Sequence, residues 1–480
     1  MAVKMLKNLS LYAIGDILPK AVGLFLLPIY TRYLSPEDYG LVQSMGVISW
    51  FLIILFTLSF DRSLSRLYFD CKTEKDKKDL LGTIFYFILI FSTSLLGLLF
   101  VFQNWLGLIF KSIDFYPYYV YTIFASYFLG FQALINMYLQ LKKKAGLFVV
   151  LFSVSTLLNA GLGILFVIVL NGSAEGMLKA SMLAPLIMVP FYLLCSIRIS
   201  NITIRWDQLK SICLFSLPLI PTLIGAWVLN LSNRLFIERY LSLADVGIYS
   251  MAATIAGLYL IFSDSIRKAY FPIYFELASS SNQKVAKEQI QNYNNFLILT
   301  FFIFIFLITL FSREAIVFLL DSRFHESYKL IPFLGLAYVA AFLHTTVNLS
   351  IYQVKKTYIT SAIYIGSAVV HIIANISLIP TFGIYGAAYA LIIANLLYSF
   401  AGYYVSKKLY FVPYKWDQLG LVFVSFTGLI ILFTFLSDVN FLWAFYAKIS
   451  FLLIASAVFY RKFHKQIMAL WGNSSAKDSL

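Results

Sequence analysis

The sequence predicts an all-α integral membrane protein of about fourteen transmembrane helices, in which two pseudo-symmetric six-helix lobes precede two further helices. First, 61% of the 480 residues are hydrophobic and only 12% are charged, about half the charged fraction of soluble domains. Second, the apolar residues form continuous runs of bilayer-spanning length, without the alternation of β-barrel strands. Third, the chain repeats a motif in its two halves. This composition excludes an ordinary soluble enzyme.

The apolar runs define the expected membrane spans, because charged or Pro/Gly/Asn-rich breaks separate them. In chain order the predicted spans are 8–33, 38–60, 80–103, 117–140, 145–170, 174–196, 207–233, 245–265, 294–311, 328–351, 357–380, 384–405, 417–437 and 440–460. No loop between them exceeds about thirty residues, which is shorter than a folded domain. The longest loop, 266–293, is interpreted as a solvated connector. A catalytic domain outside the membrane is therefore not expected.

The basic residues predict the orientation of the spans. The chain carries 37 Lys and Arg residues against 22 Asp and Glu residues, a formal net charge of +15. If the N-terminus is cytoplasmic, most of these cations fall in the cytoplasmic loops, as the positive-inside rule requires. Both termini are then expected in the cytoplasm. Because topology accounts for most of the charge, nucleic acid is not an expected partner.

An internal repeat divides the chain at a spacing of about 207 residues. The motif Arg-Tyr-Leu-Ser, followed by Asp and Gly, occupies residues 32–40 and recurs at 239–247. Further matches in the same order pair 68–70 with 274–276, 140–143 with 353–356, and Gly176 with Gly386. Since matching loops fall on the same side of the membrane, each half holds six helices, a parallel repeat. The expected domains are an N-terminal lobe (1–206), a C-terminal lobe (207–410), two extra helices (411–462) and a cytoplasmic tail (463–480).

Residues 9–40 carry a family resemblance. Lys20 and Pro28 in the first helix, and Arg-Tyr-Leu-Ser-Pro-Glu-Asp-Tyr-Gly after it, are similar to the start of the Wzx-type oligosaccharide flippases. These are the polysaccharide transporters of the multidrug/oligosaccharidyl-lipid/polysaccharide exporter superfamily. The run Pro-Leu-Ile-Pro at 218–221, which begins the seventh helix, and the twelve-plus-two layout fit as well. The chain therefore resembles this family over essentially its whole length.

The resemblance implies a function in the synthesis of surface polysaccharide such as O-antigen. Members of the family move undecaprenyl-diphosphate-linked oligosaccharide repeat units from the cytoplasmic to the outer leaflet of the bacterial cytoplasmic (inner) membrane. The implied mechanism is alternating access of two lobes around a basic central cavity. The implied partners are the lipid-linked oligosaccharide, membrane lipids, and the polysaccharide polymerase and chain-length machinery.

Other functions stay open at this point. A lipid II flippase or a drug/cation antiporter of the same superfamily would share the fold, and an antiporter would favour acidic cavity residues. A membrane polysaccharide polymerase is the rival from another class, but no outer loop is long enough to hold its catalytic residues. The sequence contains no nucleotide-binding loop and no complete hydrolase or dinucleotide motif. We therefore expect a transporter and not an enzyme, with no cofactor beyond a coupling ion, H⁺ or Na⁺.

Charged residues within the predicted spans are the first candidate site residues, because each costs about 2.5–3.5 kcal/mol at a helix centre. Asp16 and Lys20 share one face of the first helix, either as a self-neutralising pair or with Lys20 facing the lipid diphosphate. Near the outer end of the seventh helix, Arg234 and Glu238 have the same spacing. They form either an interfacial salt bridge or a cavity rim that attracts the substrate.

Three further groups complete the candidate residues. Two arginines end equivalent helices and either fix the outer loops or contact substrate, namely Arg32 and Arg239. Four basic residues follow the second and eighth helices, at the cytoplasmic mouths: Arg62, Arg66, Arg267 and Lys268. They either anchor the helix ends at the membrane or form an electrostatic funnel that collects an anionic headgroup. His344 in helix 10 and His371 in helix 11 are either hydrogen-bonded packing residues or groups that couple transport to protons. The three Cys residues lack metal-ligand spacing, so no metal site is expected.

Overall fold

The structure, a computed structural model, describes the backbone of residues 2–354, 356–436 and 443–454. Side chains are described in the same ranges from residue 18 onward, except at 261, 357, 418 and 432–436. The regular elements of these ranges are all helices, which confirms the predicted all-α class. The chain divides into two compact units, Met1–Gln418 and Leu419–Leu480. The larger unit contains the residues of both predicted lobes.

Eight α-helices form the N-terminal half of the larger unit. They are α1 (Ala2–Tyr33), α2 (Pro36–Thr57), α3 (Phe60–Leu67), α4 (Glu74–Val101), α5 (Gln103–Leu106), α6 (Val120–Leu141), α7 (Ala145–Ile164) and α8 (Ser173–Ile199). Between α2 and α3, Leu58 and Ser59 adopt left-handed backbone angles, with φ of 48° and 59°. Such a conformation costs a non-glycine residue about 1–2 kcal/mol, so α2 ends at a strained break, close to the end of the predicted span 38–60.

Ten α-helices form the second half. They are α9 (Trp206–Ser216), α10 (Ile220–Leu231), α11 (Asn233–Tyr240), α12 (Leu243–Ala256), α13 (Leu258–Ala278), α14 (Gln283–Leu310), α15 (Ser312–Leu319), α16 (Ile331–Gln353), α17 (Thr357–Phe382) and α18 (Ile384–Leu409). The predicted seventh span is interrupted by a 3₁₀ turn at Leu217–Leu219, because Pro218 and Pro221 lack the N–H groups of a continuous helix. α9 packs against α3 and α4, and α10 packs against α17. Because α9 packs against helices of the N-terminal half, the name C-terminal half refers only to α10 to α18.

Eleven segments of the described chain are long and apolar enough to cross a membrane. They match the second to twelfth predicted spans, and α1, which is 32 residues long, matches the first. The last two predicted spans correspond to α19 (Trp416–Leu436) and α20 (Trp443–Ile454), most of which belongs to the smaller unit. The chain is thus a multi-pass membrane protein.

Small residues let the helices of the C-terminal half approach closely. α18 packs against α16 and α17 and buries Gly386, Ala387 and Ala390. Asn395 of the same helix donates an amide N–H to the carbonyl oxygen of Ala337 on α16 (3.2 Å). Within a membrane, helices associate through such close packing and interhelical hydrogen bonds, since lipid supplies no hydrophobic driving force.

The connector predicted at 266–293 is much shorter than expected. α13 continues to Ala278 and α14 begins at Gln283, so helices cover most of this segment. The Asn282 side chain caps α14 by accepting the N–H of Val285 (3.3 Å). The polar residues therefore belong to helix ends that extend beyond the apolar spans. Hydropathy marks only the part of a helix that lies in lipid, which is why these ends were not predicted.

Candidate functional site

The repeated motif caps two equivalent helices. The Ser35 hydroxyl accepts the backbone N–H of Asp38 (3.0 Å), and the Asp38 carboxylate accepts the N–H of Ser35 (3.1 Å). At α12 the Ser242 hydroxyl accepts the N–H of Asp245 (3.1 Å). These interactions satisfy backbone groups at helix N-termini. The motif therefore fixes where α2 and α12 begin.

Two glycines of the motif bring α2 and α12 into backbone contact. A Cβ atom added at Gly40 would lie 1.8 Å from the carbonyl oxygen of Leu243, and one added at Gly247 would lie 1.9 Å from that of Pro36. Only glycine allows backbones to approach this closely. Each helix thus places its glycine against the first turn of the other, in a reciprocal crossing. The crossing lies on the side where α1 ends, which we call the distal side; α1 begins on the proximal side.

Side chains extend the contact between the two halves. The Tyr39 hydroxyl lies 3.4 Å from Thr254 Oγ1, and the Tyr39 ring meets the Phe324 ring edge-on at a centroid distance of 5.8 Å. The indole N–H of Trp227 donates to the carbonyl oxygen of Val47 (2.9 Å). Aromatic rings therefore fill the space around the glycine crossing, and their polar atoms are satisfied across it.

Arg323 joins the two halves at the end of α1. Its Nη2 donates to the carbonyl oxygens of Thr31 (3.0 Å) and Arg32 (3.1 Å). Carbonyls in the last turn of a helix have no partner within the helix and carry its negative dipole end. The Arg323 Nε donates to the Asp321 carboxylate (2.8 Å), and this bond lowers the pKa of Asp321 below its usual range.

Replacing Arg323 with alanine is expected to loosen this contact without unfolding the protein. Because the pKa of Asp321 is lowered, its carboxylate is ionised and binds Arg323 at any pH above about 4, the usual Asp pKa. The bond weakens only as the pH falls through the lowered pKa. We expect a loss of about 1 kcal/mol, measured as a lower Tm at neutral pH. The loss should shrink in acid.

The Arg32→Ala variant is the matched control for that experiment. Only the backbone carbonyl of Arg32 accepts the bond from Arg323, and the Arg32 side chain is exposed. The Tm of this variant should equal that of the parent. If both variants lost the same stability, the observed loss would reflect surface charge and not the bond to the end of α1.

Arg234 and Glu238 do not form the predicted salt bridge, since no ion pair between them occurs among the described side chains. They are only 7% and 2% exposed. Arg234 Nε donates to Ser250 Oγ (2.9 Å), and the guanidinium lies over the Tyr249 ring at 5.9 Å. Glu238 accepts the backbone N–H of Ser112 from the other half (2.6 Å). Partners from distant segments therefore replace the i,i+4 neighbour.

A cavity of about 700 Å³ lies inside the N-terminal half, between α1, α2, α6, α7 and α8. Its lining, as far as side chains are described, contains no Asp, Glu, Lys, Arg or His. Two amide oxygens in the wall, Gln132 Oε1 and Asn136 Oδ1, are buried and have no hydrogen-bond partner among the described atoms. The polar lining residues are Tyr30, Gln43, Ser49, Thr122, Gln132, Asn136, Ser155, Thr156, Asn159 and Ser181.

Lys20 follows a residue of the cavity wall but is not itself part of the wall. Its neighbour in α1, Pro19, lines the cavity, whereas the Lys20 side chain is exposed. Asp16 lies outside the residues whose side chains are described, so the predicted pair with Lys20 stays a prediction. The position of Lys20 leaves its charge available to a ligand that reaches out of the cavity.

The basic candidates at the proximal side occur in two equivalent places. Arg66 at the end of α3 pairs with Asp70, and Arg267 in α13 pairs with Asp264 (2.8 Å). Exposed pairs of this kind contribute about 0–1 kcal/mol to stability, so they leave the arginines free to exchange partners. The other basic candidates are also exposed: Arg62, Lys268, Arg32 and Arg239.

His344 and His371 are buried, and a ring nitrogen of each contacts a backbone carbonyl. His344 Nδ1 lies 2.9 Å from the carbonyl oxygen of Tyr398, and His371 Nδ1 lies 3.2 Å from that of Val228. A carbonyl partner requires the proton on Nδ1. The Nε2 atom of each ring has no partner in the described part of the chain. This geometry fits helix packing, and proton coupling stays a prediction.

Sequence reasoning missed the residues that join the two halves and those that line the cavity. The motif was recognised, but nothing local indicates that its glycines touch each other's helix. Gln132 and Asn136, four residues apart, share one face of α6, and this spacing could have indicated a polar wall. We call the set that joins the halves the distal closure, and it consists of Thr31, Arg32, Tyr39, Gly40, Val47, Ser112, Trp227, Glu238, Gly247, Thr254, Arg323 and Phe324.

Comparison with known proteins identifies one matching family. The sequence profile of that family, described as polysaccharide biosynthesis protein, matches residues 29–329. Lsg locus putative protein 1 of Haemophilus influenzae is 25% identical over 403 residues, which are 80% of this chain and 96% of that protein. A probable low-salt glycan biosynthesis flippase, Agl15, of Haloferax volcanii is 23% identical over 261 residues, which are 54% of this chain and 55% of that protein.

Solved structures with the same fold are membrane transporters. The lipid II flippase MurJ in an inward closed conformation superposes with a TM-score of 0.69 and 17% identity, covering 94% of this chain and 99% of that one. An inward-facing MATE multidrug resistance transporter of the MOP superfamily gives a TM-score of 0.64 and 15% identity, covering 82% and 94%. At these identities the likeness establishes the fold alone.

Proposed function

The chain belongs to the polysaccharide biosynthesis protein family, and from this premise we propose that it is a flippase for lipid-linked oligosaccharides. Its substrate is an undecaprenyl-diphosphate-linked repeat unit, which moves from the cytoplasmic to the outer leaflet of the bacterial cytoplasmic membrane. A polysaccharide polymerase and its chain-length machinery then use the product. The observation that carries the proposal is the distal closure, a contact between the two halves of a chain from this family.

The proposed mechanism is alternating access. The positive-inside rule supports an orientation in which both termini are cytoplasmic and the distal side faces outward. The distal closure then seals the outer side while substrate enters from the cytoplasmic leaflet, and transport requires the closure to open. Each of its hydrogen bonds contributes about 0.5–1.5 kcal/mol. A substrate or a coupling H⁺ or Na⁺ that binds the open arrangement more tightly by a few kcal/mol is therefore sufficient to open it.

Drug/cation antiport receives less support from the cavity. A cationic drug is stabilised by a nearby carboxylate, and the described lining supplies none. A lipid II flippase would carry the same diphosphate lipid with a different sugar, so transport of the two lipids must be compared directly. The glycan biosynthesis flippase among the relatives supports transport over a polymerase, and the proposal includes no catalytic step.

Reconstitution tests the proposed function. The full-length chain is inserted into liposomes that contain undecaprenyl-diphosphate-linked oligosaccharide with a fluorescent sugar, and an impermeant quencher reports the label exposed on the outside. We expect protein-dependent redistribution between leaflets, whereas liposomes without protein keep their distribution. Redistribution of lipid II but not of the oligosaccharide lipid would assign the chain to lipid II. Transport of organic cations alone would exclude a flippase.

Reversing the charges of Arg66 and Arg267 to glutamate is expected to slow substrate entry. Both side chains are exposed at equivalent proximal positions, where clustered positive charge raises the local concentration of an anionic headgroup. We expect uptake of labelled lipid-linked oligosaccharide into inverted vesicles to slow by about tenfold or more at low salt. Arg198→Glu, at the exposed end of α8, is the control; equal slowing by it would indicate a general charge effect.

A further inference from the structure

The wall of the cavity in the N-terminal half contains two side-chain amides whose oxygens accept no hydrogen bond from the described atoms. Gln132 is 94% buried, as its 6% exposure shows, and its Oε1 has no partner among the described atoms. Asn136 Oδ1, one turn further along α6, is also buried and unpartnered. An unsatisfied buried polar group costs about 1–3 kcal/mol. Two such groups beside an open volume favour a ligand that supplies the missing donors once the amides turn toward it.

The hydroxyl groups of the wall reinforce this polarity. Thr122, Thr156 and Ser181 each donate their hydroxyl proton to a carbonyl oxygen of their own helix, at 2.9, 2.8 and 3.0 Å. Because their protons are already donated, these oxygens have only lone pairs left for a further hydrogen bond. Together with the amides of the lining, they suit a ligand that carries O–H or N–H groups.

The charge of the wall limits the ligand further. Charged phosphate groups are bound most strongly by Lys and Arg side chains, and the described lining has neither. A cation would require compensating negative charge, and no carboxylate occurs in the same lining. The ligand is thus neutral, although the proposed substrate as a whole is an anion.

The size and shape of the cavity fit a sugar. Its volume of about 700 Å³ lies within the range of about 300–1,000 Å³ typical of small-molecule sites. Tyr30, Trp50 and Phe152 also line it, and aromatic rings pack against the apolar C–H face that a pyranose presents. Gly46 has no atom within 4 Å of an added Cβ, so the space beside it is open.

We propose that this cavity binds a neutral sugar of the lipid-linked oligosaccharide, with hydroxyl or acetamido N–H groups donating to Gln132 and Asn136. The inference depends on the proposed function and adds a specificity site to it. Lys20, which follows Pro19 of the cavity wall in α1, stays outside the site and is available to the diphosphate. The sugar and the diphosphate are therefore recognised by different residues.

Binding to the full-length protein in nanodiscs tests the proposal. The two probes are farnesyl diphosphate bearing one N-acetylglucosamine and farnesyl diphosphate alone, each titrated calorimetrically. The measured quantity is the sugar preference, the ratio of the Kd of the bare lipid to that of the sugar lipid. Gln132→Leu and Asn136→Leu should each lower it by about fivefold or more. Neither should change the Kd of the bare lipid.

Filling the cavity provides a second, independent variant. Gly46→Leu places a side chain in open space, so it should fold normally and abolish the sugar preference. Asn104→Leu and Gly97→Leu are the matched controls, because both positions are exposed, neither lines the cavity, and an added Cβ at Gly97 also meets open space. The controls should keep the parental preference.

The outcomes separate this proposal from the proposed function. An unchanged sugar preference in Gln132→Leu and Gly46→Leu would overturn the sugar site and indicate a cavity that holds only water. Binding of Na⁺ without sugar that Gln132→Leu abolishes would also overturn it and indicate an ion site. If the sugar preference is lost as expected but the parent fails to redistribute lipid in liposomes, the proposed function fails and the sugar site stands.

Discussion

Replacing Gly40 with alanine is expected to abolish translocation while leaving the protein in the membrane. The added carbon would lie 1.8 Å from the carbonyl oxygen of Leu243 and 2.9 Å from the nitrogen of Gly247. Both are backbone atoms, so no side-chain rotation relieves the overlap. Overpacking costs about 1–3 kcal/mol, which changes the ratio of closed to open molecules by about 5- to 160-fold. The substitution should therefore hold the distal closure apart.

Gly247→Ala should have the same effect, because its added carbon would meet the Pro36 carbonyl at 1.9 Å. Gly366→Ala is the control, since nothing lies within 4 Å of an added carbon there. Opening is measured by the reaction of a cysteine placed at Thr254 with an impermeant thiol reagent, together with translocation in liposomes. Parental values in both glycine variants would show that the crossing plays no part in the transport cycle.

Replacing Lys20 with alanine is the second change with a large expected effect. Its side chain is exposed and follows Pro19 of the cavity wall, where it can neutralise the diphosphate while the sugar occupies the cavity. An ammonium group is a compact charge suited to a phosphate. We expect surface glycan to disappear and the lipid-linked precursor to accumulate, at an unchanged amount of protein in the membrane.

Two further variants show whether the effect is specific to the charge at position 20. Lys20→Arg retains the charge and should retain part of the transport. Lys179→Ala removes another exposed lysine of a membrane-spanning helix, whose amino group lies over the Phe166 ring at 5.3 Å, and should leave glycan production intact. If glycan persists in Lys20→Ala, or if Lys179→Ala removes it equally, Lys20 has no particular role in substrate recognition.

The order and type of the helices could be predicted from sequence because lipid imposes a simple condition on every span. A helix satisfies its own backbone, so about twenty apolar residues suffice to identify it. The break at Leu217–Leu219 was missed, since apolar residues continue through it. The polar helix ends around Gln283 were missed for the opposite reason, because they lie beyond the lipid.

The candidate site depends on contacts between distant residues, and sequence indicates these poorly. The spacing of Arg234 and Glu238 permits a salt bridge, yet Ser250 and Ser112 are their partners. Spacing limits which neighbours can meet on one helix and does not account for competing partners elsewhere. Similarly, Gln132 looks like any polar residue that bridges helices until the empty volume in front of it is known.

The reciprocal crossing of Gly40 and Gly247 has the geometry of an interface between identical subunits, in which one patch meets its own copy across a two-fold axis. A rotation that separates one of the paired contacts separates the other at the same time. Half-open molecules that keep one contact are therefore not a stable intermediate. The distal closure should therefore open cooperatively, as a transition between one closed and one open state. Its opening should follow one exponential phase.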